Sequence, residues 1–134
     1  MNTALTSEDP RRFTSAYHPI PNAAGQARTL LREALNAWDR DQLYDCASVV
    51  LTEMISNAIR SDDVIEVDIF LDDDQRFVHL EVFDTCQDVP EQRTPDDEEE
   101  NGRGLLLIEI LAAKWGWRLT PEGKVVYALM ETAD

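Results

Sequence analysis

The sequence is poor in positive charge. Its 12 lysines and arginines stand against 27 aspartates and glutamates, which gives a formal net charge of −15 at pH 7. Nonspecific nucleic-acid binding and adsorption to an anionic membrane both need a basic surface, so this balance argues strongly against both. An acidic surface instead suits a basic protein partner, or simply keeps the chain soluble and monomeric.

Cysteine and long apolar runs are scarce as well. Cys46 and Cys86 are the two cysteines, and they form neither a metal-ligand pattern nor a disulfide framework. No apolar run reaches the roughly 18 residues of a membrane span. The start, MNTALTSEDPRR, lacks the basic region and apolar core of a signal peptide. We therefore expect a cytoplasmic protein.

The chain does contain enough apolar material for one folded domain. It has 134 residues, of which 43% are hydrophobic, and a domain of this size can bury a real core. Residues 1–12 are polar and indicate a flexible tail. We expect a single domain over residues 13–134.

Helical and strand periods alternate along the chain. Apolar residues recur at helical spacing from Asn22 to Trp38 and again from Ala47 to Ala58. A period of two marks strands that end near Leu71 and at Asp84. Further predicted elements are a short strand at 13–18, a helix LLLIEILAAKWG with Lys114 in its last turn and Gly116 as its stop, and a hairpin of WRLT and KVVYALM around Pro121-Glu122-Gly123.

This order of elements predicts the fold class. Strand, helix, helix, strand, strand, loop, helix, strand, strand fits a two-layer α/β (α+β) sandwich. The sheet would be mixed and mostly antiparallel, with the helices on one face. Residues 85–101 form a long polar segment without periodicity, which is typical of a functional or a disordered loop.

Chemistry could reside at three places. Glu53 and Asn57 lie one helical turn apart; a carboxylate there could accept a proton, and an amide oxygen could ligate Mg²⁺. Asp84 ends a buried strand and could accept a hydrogen bond from an exocyclic amine such as that of adenine. Gly102, Arg103 and Gly104 precede a helix whose free N–H groups could meet phosphates.

Each of these features also has an ordinary structural interpretation. Glu53 and Asn57 could merely flank an amphipathic helix. Asp84 could start a turn, which is a common role for aspartate. The Gly-Arg-Gly segment could be a flexible junction. Under these interpretations the chain is a small structural α/β domain in which the motifs are coincidental.

The order and spacing of the three places resemble the GHKL, or Bergerat-fold, ATPases. The closer resemblance is to their small single-domain branch, the anti-sigma-factor serine/threonine kinases with a histidine-kinase-like ATPase domain. It runs from about Phe13 to Met130 and is strongest in VVLTEMISNAIRS and ENGRGLLLIEILAAKWGW.

The resemblance implies a Bergerat fold that binds ATP and Mg²⁺. It implies the following roles: Glu53 as general base, Asn57 on Mg²⁺ and the phosphates, Asp84 on the adenine amine, residues 85–101 as the lid, and Gly102, Arg103 and Gly104 on the phosphates. The family's usual task is to bind a sigma factor and to phosphorylate an anti-anti-sigma partner. Relatives often form homodimers, but this sequence specifies no interface.

Two departures from the family pattern leave an alternative open. The family's D-x-G-x-G box is altered, since Cys86 and Asp88 stand at its glycines. A side chain there costs about 1–3 kcal/mol if the backbone needs a glycine-only conformation. The acid-rich lid weakens binding of Mg·ATP by roughly 1 kcal/mol. The chain is then either an ATP-binding kinase with weakened affinity, or a degenerate module that sequesters a sigma factor or its regulator without nucleotide.

Overall fold

A computed structural model describes residues 9–58, 63–87 and 100–132, without the side chains of residues 100–104. The strands are β1 (Arg12–Tyr17), β2 (Ile65–Leu71), β3 (Phe77–Asp84), β4 (Lys114–Thr120) and β5 (Gly123–Glu131). The helices are α1 (Asn22–Ala37), α2 (Tyr44–Ala58) and α3 (Glu100–Leu111), with a short 3₁₀ turn at Asp41–Leu43 between α1 and α2.

The five strands form one open antiparallel sheet in the order β1-β2-β3-β5-β4. The last strand in the described chain, β5, is therefore inserted between β3 and β4. Three helices pack against this sheet. The predicted two-layer α+β architecture is confirmed, and every described strand pair is antiparallel.

The core lies between the helices and the inward face of the sheet. Burial alternates along β3, where Val78, Leu80 and Val82 face inward, as the period of two predicts. Helix α2 contacts both α1 and α3 and is therefore the central helix. Its buried side chains are Ala47, Val50, Leu51, Met54, Ile55 and Ala58.

Helix α3 begins and ends earlier than its apolar pattern predicts. It runs from Glu100 to Leu111, so Lys114 and Gly116 belong to β4 rather than to the end of the helix. The Ala113 N–H donates to the Leu129 carbonyl at 2.8 Å, and the chain then pairs with β5. This long-range pairing decides the boundary, because LLLIEILAAKWG by itself has no helix stop before Gly116.

Two turns use left-handed backbone at residues other than glycine. Asp39, just after α1, has φ 62°, and Gln75, between β2 and β3, has φ 60°. Asp72 Oδ1 stabilises the second turn by accepting hydrogen bonds from the N–H groups of Arg76 (3.0 Å) and Phe77 (3.3 Å).

In the described parts of the chain, none of the helices has the length and apolarity to cross a bilayer.

Candidate functional site

Asp84 is the last residue of β3, and its side chain points into the molecule. It follows Val78, Leu80 and Val82 on the inward face and is 1% exposed. The residue directly opposite on β5 is Lys124, which is 4% exposed. Since opposite residues of an antiparallel pair share a face, the two charged side chains meet at the end of the apolar core.

The two buried groups form an ion pair through one carboxylate oxygen. Lys124 Nζ lies 3.0 Å from Asp84 Oδ1, and the Cys86 N–H donates to the same oxygen at 2.8 Å. The other oxygen, Oδ2, is buried and receives no donor from the described residues. Leaving a buried acceptor unpaired costs about 1–3 kcal/mol, and more for a charged group. The site therefore presents an acceptor that a ligand N–H would satisfy.

The turn after Asp84 tolerates the loss of a family glycine at Cys86. Among the described residues other than glycine, only Asp39 and Gln75 have positive φ, so Cys86 does not adopt a glycine-only conformation. Its carbonyl accepts a hydrogen bond from Lys124 Nζ at 3.0 Å. The penalty expected from the altered box does not arise at this residue. Asp88, the second substituted position, lies outside the described residues.

Side-chain contacts hold this turn in place. Thr85 Oγ1 donates to Asp63 at 3.2 Å, and Gln87 Nε2 donates to the Thr120 carbonyl at 2.7 Å. Together with Lys124, these bonds attach the turn to the segment before β2 and to the β4–β5 hairpin. These contacts hold a turn in which Cys86 has no positive φ.

Gly123 allows β5 to approach Asp84. A Cβ atom at this position would lie 1.9 Å from the Asp84 carbonyl oxygen and 2.7 Å from Thr85 Cα. Both are backbone atoms, so no side-chain rotation could relieve the clash. The sequence predicts a hairpin turn at Gly123; the structure adds that the glycine is needed for the backbone contact that positions Asp84.

Glu53 and Asn57 lie on the flank of α2 that faces away from α1. Both are half-buried. On the other flank, Thr52 accepts a hydrogen bond from Arg28 of α1 at 3.0 Å. At about 100° per residue, Glu53 lies about 100° and Asn57 about 140° around the helix from Thr52, so the two residues border the buried stripe on the side away from Thr52. Since α2 packs between α1 and α3, this is the side of α3.

Asn57 also lies at the same end of the molecule as Asp84. Helix α2 ends at Ala58, and β2 begins at Ile65, beside the end of β3, where Glu66 pairs with Phe83. The hydrogen bond from Thr85 to Asp63 joins the residues just before β2 to the Asp84 turn. The end of α2 therefore lies at the same end of the sheet as the end of β3.

The remaining predicted site residues are only partly described. Gly102, Arg103 and Gly104 lie within the first turns of α3 rather than before it, and their side chains are outside the described residues. Of the predicted lid, residues 88–99 are also outside them. The roles of these residues stay predictions.

One described group could accept a hydrogen bond from a nucleotide base. Asp84 Oδ2 is a buried acceptor without a donor, which matches the exocyclic amine of adenine. In the described chain, no group of three or more His, Cys, Asp and Glu side chains could hold a cation. Mg²⁺ typically binds through one or two protein oxygens and the phosphates of a nucleotide. Asn57 would supply such an oxygen.

A separate depression of about 490 Å³ lies at the far end of the sheet, around the β2–β3 turn. It is lined by residues of both charge signs, among them Arg40, Asp73, Arg76 and Glu131. Arg40 Nη2 already donates to Gln75 Oε1 there at 3.2 Å. Because β3 runs from Phe77 at this turn to Asp84, the depression is not part of the candidate nucleotide site.

Sequence reasoning missed Lys124, although a signal was present. Lys124 is the first of the inward-facing residues that alternate along β5. The buried residues of this set are Lys124, Val126, Ala128 and Met130. A lysine at an inward position of such a strand needs a buried acceptor. That partner is Asp84, 40 residues earlier in the chain, and no local pattern links the two.

Comparison with known proteins bears directly on these features. Residues 19–130 match the histidine kinase-like ATPase domain, a domain typical of anti-sigma factor kinases. A comparison with curated proteins found no match. The matched segment covers most of the chain, including α1, α2, the Asp84 turn, α3 and the β4–β5 hairpin. The chain belongs to the GHKL, histidine kinase-like ATPase family.

Proposed function

We propose that this protein is an ATP-binding regulator that acts as an anti-sigma factor and phosphorylates a serine or threonine of an anti-anti-sigma partner. The family binds ATP with Mg²⁺, and the family match over residues 19–130 supports the proposal. The observation that carries the proposal is Asp84 Oδ2, a buried acceptor without a protein donor in the described chain. Its place at the inward end of β3 suits the adenine amine.

The phosphates would lie between the end of α2 and the start of α3. In this proposal Asn57 orients Mg²⁺ and the phosphates, and the backbone of Gly102 and Gly104, with Arg103, contacts the phosphate oxygens. Bound Mg²⁺ neutralises charge on the transferring phosphoryl group. Glu53, one turn before Asn57 on the same flank of α2, is placed to accept the proton of the incoming hydroxyl.

The partner is inferred from charge and from the family. The net charge of −15 favours association with a protein that carries a basic surface. A sigma factor and an anti-anti-sigma protein are the partners that the family resemblance implies. The acidic surface would raise the association rate at low salt, so partner binding should weaken as ionic strength rises.

Calorimetric titration with ATP and ADP, with and without Mg²⁺, tests the nucleotide site. We expect saturable binding that is lost in Asn57→Ala and kept in Asn36→Ala, a matched change at an exposed position of α1. Phosphotransfer from ATP to an anti-anti-sigma protein should then be abolished by Asn57→Ala and by Glu53→Gln. If activity survives both substitutions, the assignment of these residues is wrong.

The same titration distinguishes the alternative function. Heat indistinguishable from buffer at millimolar nucleotide would mean that the altered Asp84 turn no longer admits a base. The protein would then be a nucleotide-independent module that sequesters a sigma factor or its regulator. In that case substitution of Glu53 or Asn57 would leave partner affinity unchanged.

A further inference from the structure

The Asp84 site contains an unassigned donor beside the unassigned acceptor. A lysine ammonium carries three N–H donors. In the described chain, Lys124 Nζ uses one on Asp84 Oδ1 and one on the Cys86 carbonyl, both at 3.0 Å. Lys124 is 4% exposed, so bulk water has little access to the third. A buried donor and the buried acceptor Oδ2 thus lie on two adjoining side chains.

This pairing also determines which carboxylate oxygen a ligand meets. Lys124 and the Cys86 N–H both bind Oδ1, which leaves Oδ2 for the ligand. An ionised carboxylate accepts hydrogen bonds and donates none, so Oδ2 selects a ligand donor.

We propose that Lys124 is a specificity-determining residue of the nucleotide site, which donates its third N–H to ring atom N1 of adenine while Asp84 Oδ2 accepts from the N6 amine. The Watson–Crick edge of adenine places that amine directly beside N1, a donor next to an acceptor. The two protein groups present the complementary order. The inference rests on the proposed function, since it assumes that adenine occupies this site.

The proposal separates Lys124 from a merely structural ion pair. A structural lysine would affect the stability of the fold and the binding of every adenine nucleotide equally. A lysine that donates to N1 would affect only ligands that carry N1. The informative ligand is therefore the 1-deaza analogue of ATP, which keeps the amine and the phosphates but has a carbon in place of N1.

Calorimetry with ATP and 1-deaza-ATP on the wild type and on Lys124→Met tests this directly. We expect the wild type to bind the analogue about tenfold more weakly than ATP, the ordinary value of one hydrogen bond that involves a charged group. Lys124→Met should bind the two ligands equally. Lys114→Met, at an exposed position of β4, is the matched control and should keep the wild-type ratio.

Because Lys124→Met leaves Asp84 as an unpaired buried charge, the variant can fail to fold. The double variant Asp84→Asn/Lys124→Met removes both charges and should also bind the two ligands equally. A wild type without discrimination, or a tenfold ratio that persists in either variant, overturns the role of Lys124 and leaves the proposed function intact. A wild type that binds neither ligand overturns the proposed function and this inference with it.

Discussion

Substitution of Gly123 by alanine should open the sheet at the candidate site. The added Cβ would lie 1.9 Å from the Asp84 carbonyl oxygen, whereas a carbon–oxygen contact needs about 3.3 Å or more. The start of β5 must therefore move by roughly 1.4 Å, which stretches a ladder hydrogen bond of about 2.9 Å beyond its useful range. The same movement separates Lys124 from Asp84.

The cost combines overpacking with damage to the buried ion pair. Overpacking a close contact costs about 1–3 kcal/mol, and weakening a buried charge pair adds to it. We expect a loss of about 3–4 kcal/mol in the free energy of unfolding, measured by urea denaturation, which is a large share of the 5–15 kcal/mol of an ordinary domain. Nucleotide affinity should fall in parallel, because the movement of β5 separates Lys124 from Asp84 in the candidate site.

Gly116→Ala is the matched control for this prediction. Gly116 lies in β4, and a Cβ there would be 2.5 Å from Tyr127 Oη. This neighbour is the tip of a side chain that can rotate, and alanine is about 0.5–1 kcal/mol better than glycine inside a strand. The control should therefore lose less than about 1.5 kcal/mol. Equal losses in the two variants would refute the argument from the backbone contact.

Two further predictions concern the turns. Asp39, just after the end of α1, has φ 62°, a conformation that glycine adopts without strain. Asp39→Gly should therefore raise the free energy of unfolding, measured by urea denaturation, by about 0.5–1 kcal/mol. An unchanged or lower free energy of unfolding would contradict this prediction. Burial would raise the pKa of Asp72, but hydrogen bonds from the backbone of Phe77 and Arg76 and from His79 outweigh it and lower the pKa below its usual value. The resulting stabilisation is present above the unfolded pKa of about 3.9 and is lost as pH falls through the folded pKa. Asp72→Asn should thus reduce the free energy of unfolding at pH 7 by about 1 kcal/mol. In thermal denaturation the variant should also lose less stability than the wild type as the pH falls below about 4. If the variant and the wild type lose the same stability at acid pH, the prediction is wrong.

The sequence predicts correctly those elements in which apolar residues recur on one face only. Helix α2 and strands β2 and β3 carry clear periods of 3.6 and two, so their burial follows from the pattern. The end of α3 could not be predicted in this way, because the chain there is apolar on several sides. Lys114 and Gly116 pair with Leu129 and Tyr127 of β5, and this long-range contact makes them part of a strand.

In the candidate site, too, local patterns predict some residues, and long-range contacts decide the others. Glu53, Asn57 and Asp84 belong to a recognisable spacing, and Asn57 and Asp84 lie toward the same end of the sheet. Lys124 carries no motif, since its meaning depends on an acceptor in another strand. Nor could the sequence predict that Cys86 would avoid a left-handed backbone. The turn that holds Cys86 is contacted by Lys124 and Thr120, which come much later in the chain.

The insertion of β5 between β3 and β4 has a consequence for folding. During synthesis, β1, β2 and β3 emerge first, but the free edge of β3 stays unpaired until β5 follows. An uncovered edge strand invites pairing with other chains, and late non-local pairing slows folding. The buried charge of Asp84 likewise has no counter-ion until Lys124 arrives. We therefore expect nascent chains that stop before β5 to aggregate, and the nucleotide site to form as one of the last steps of folding.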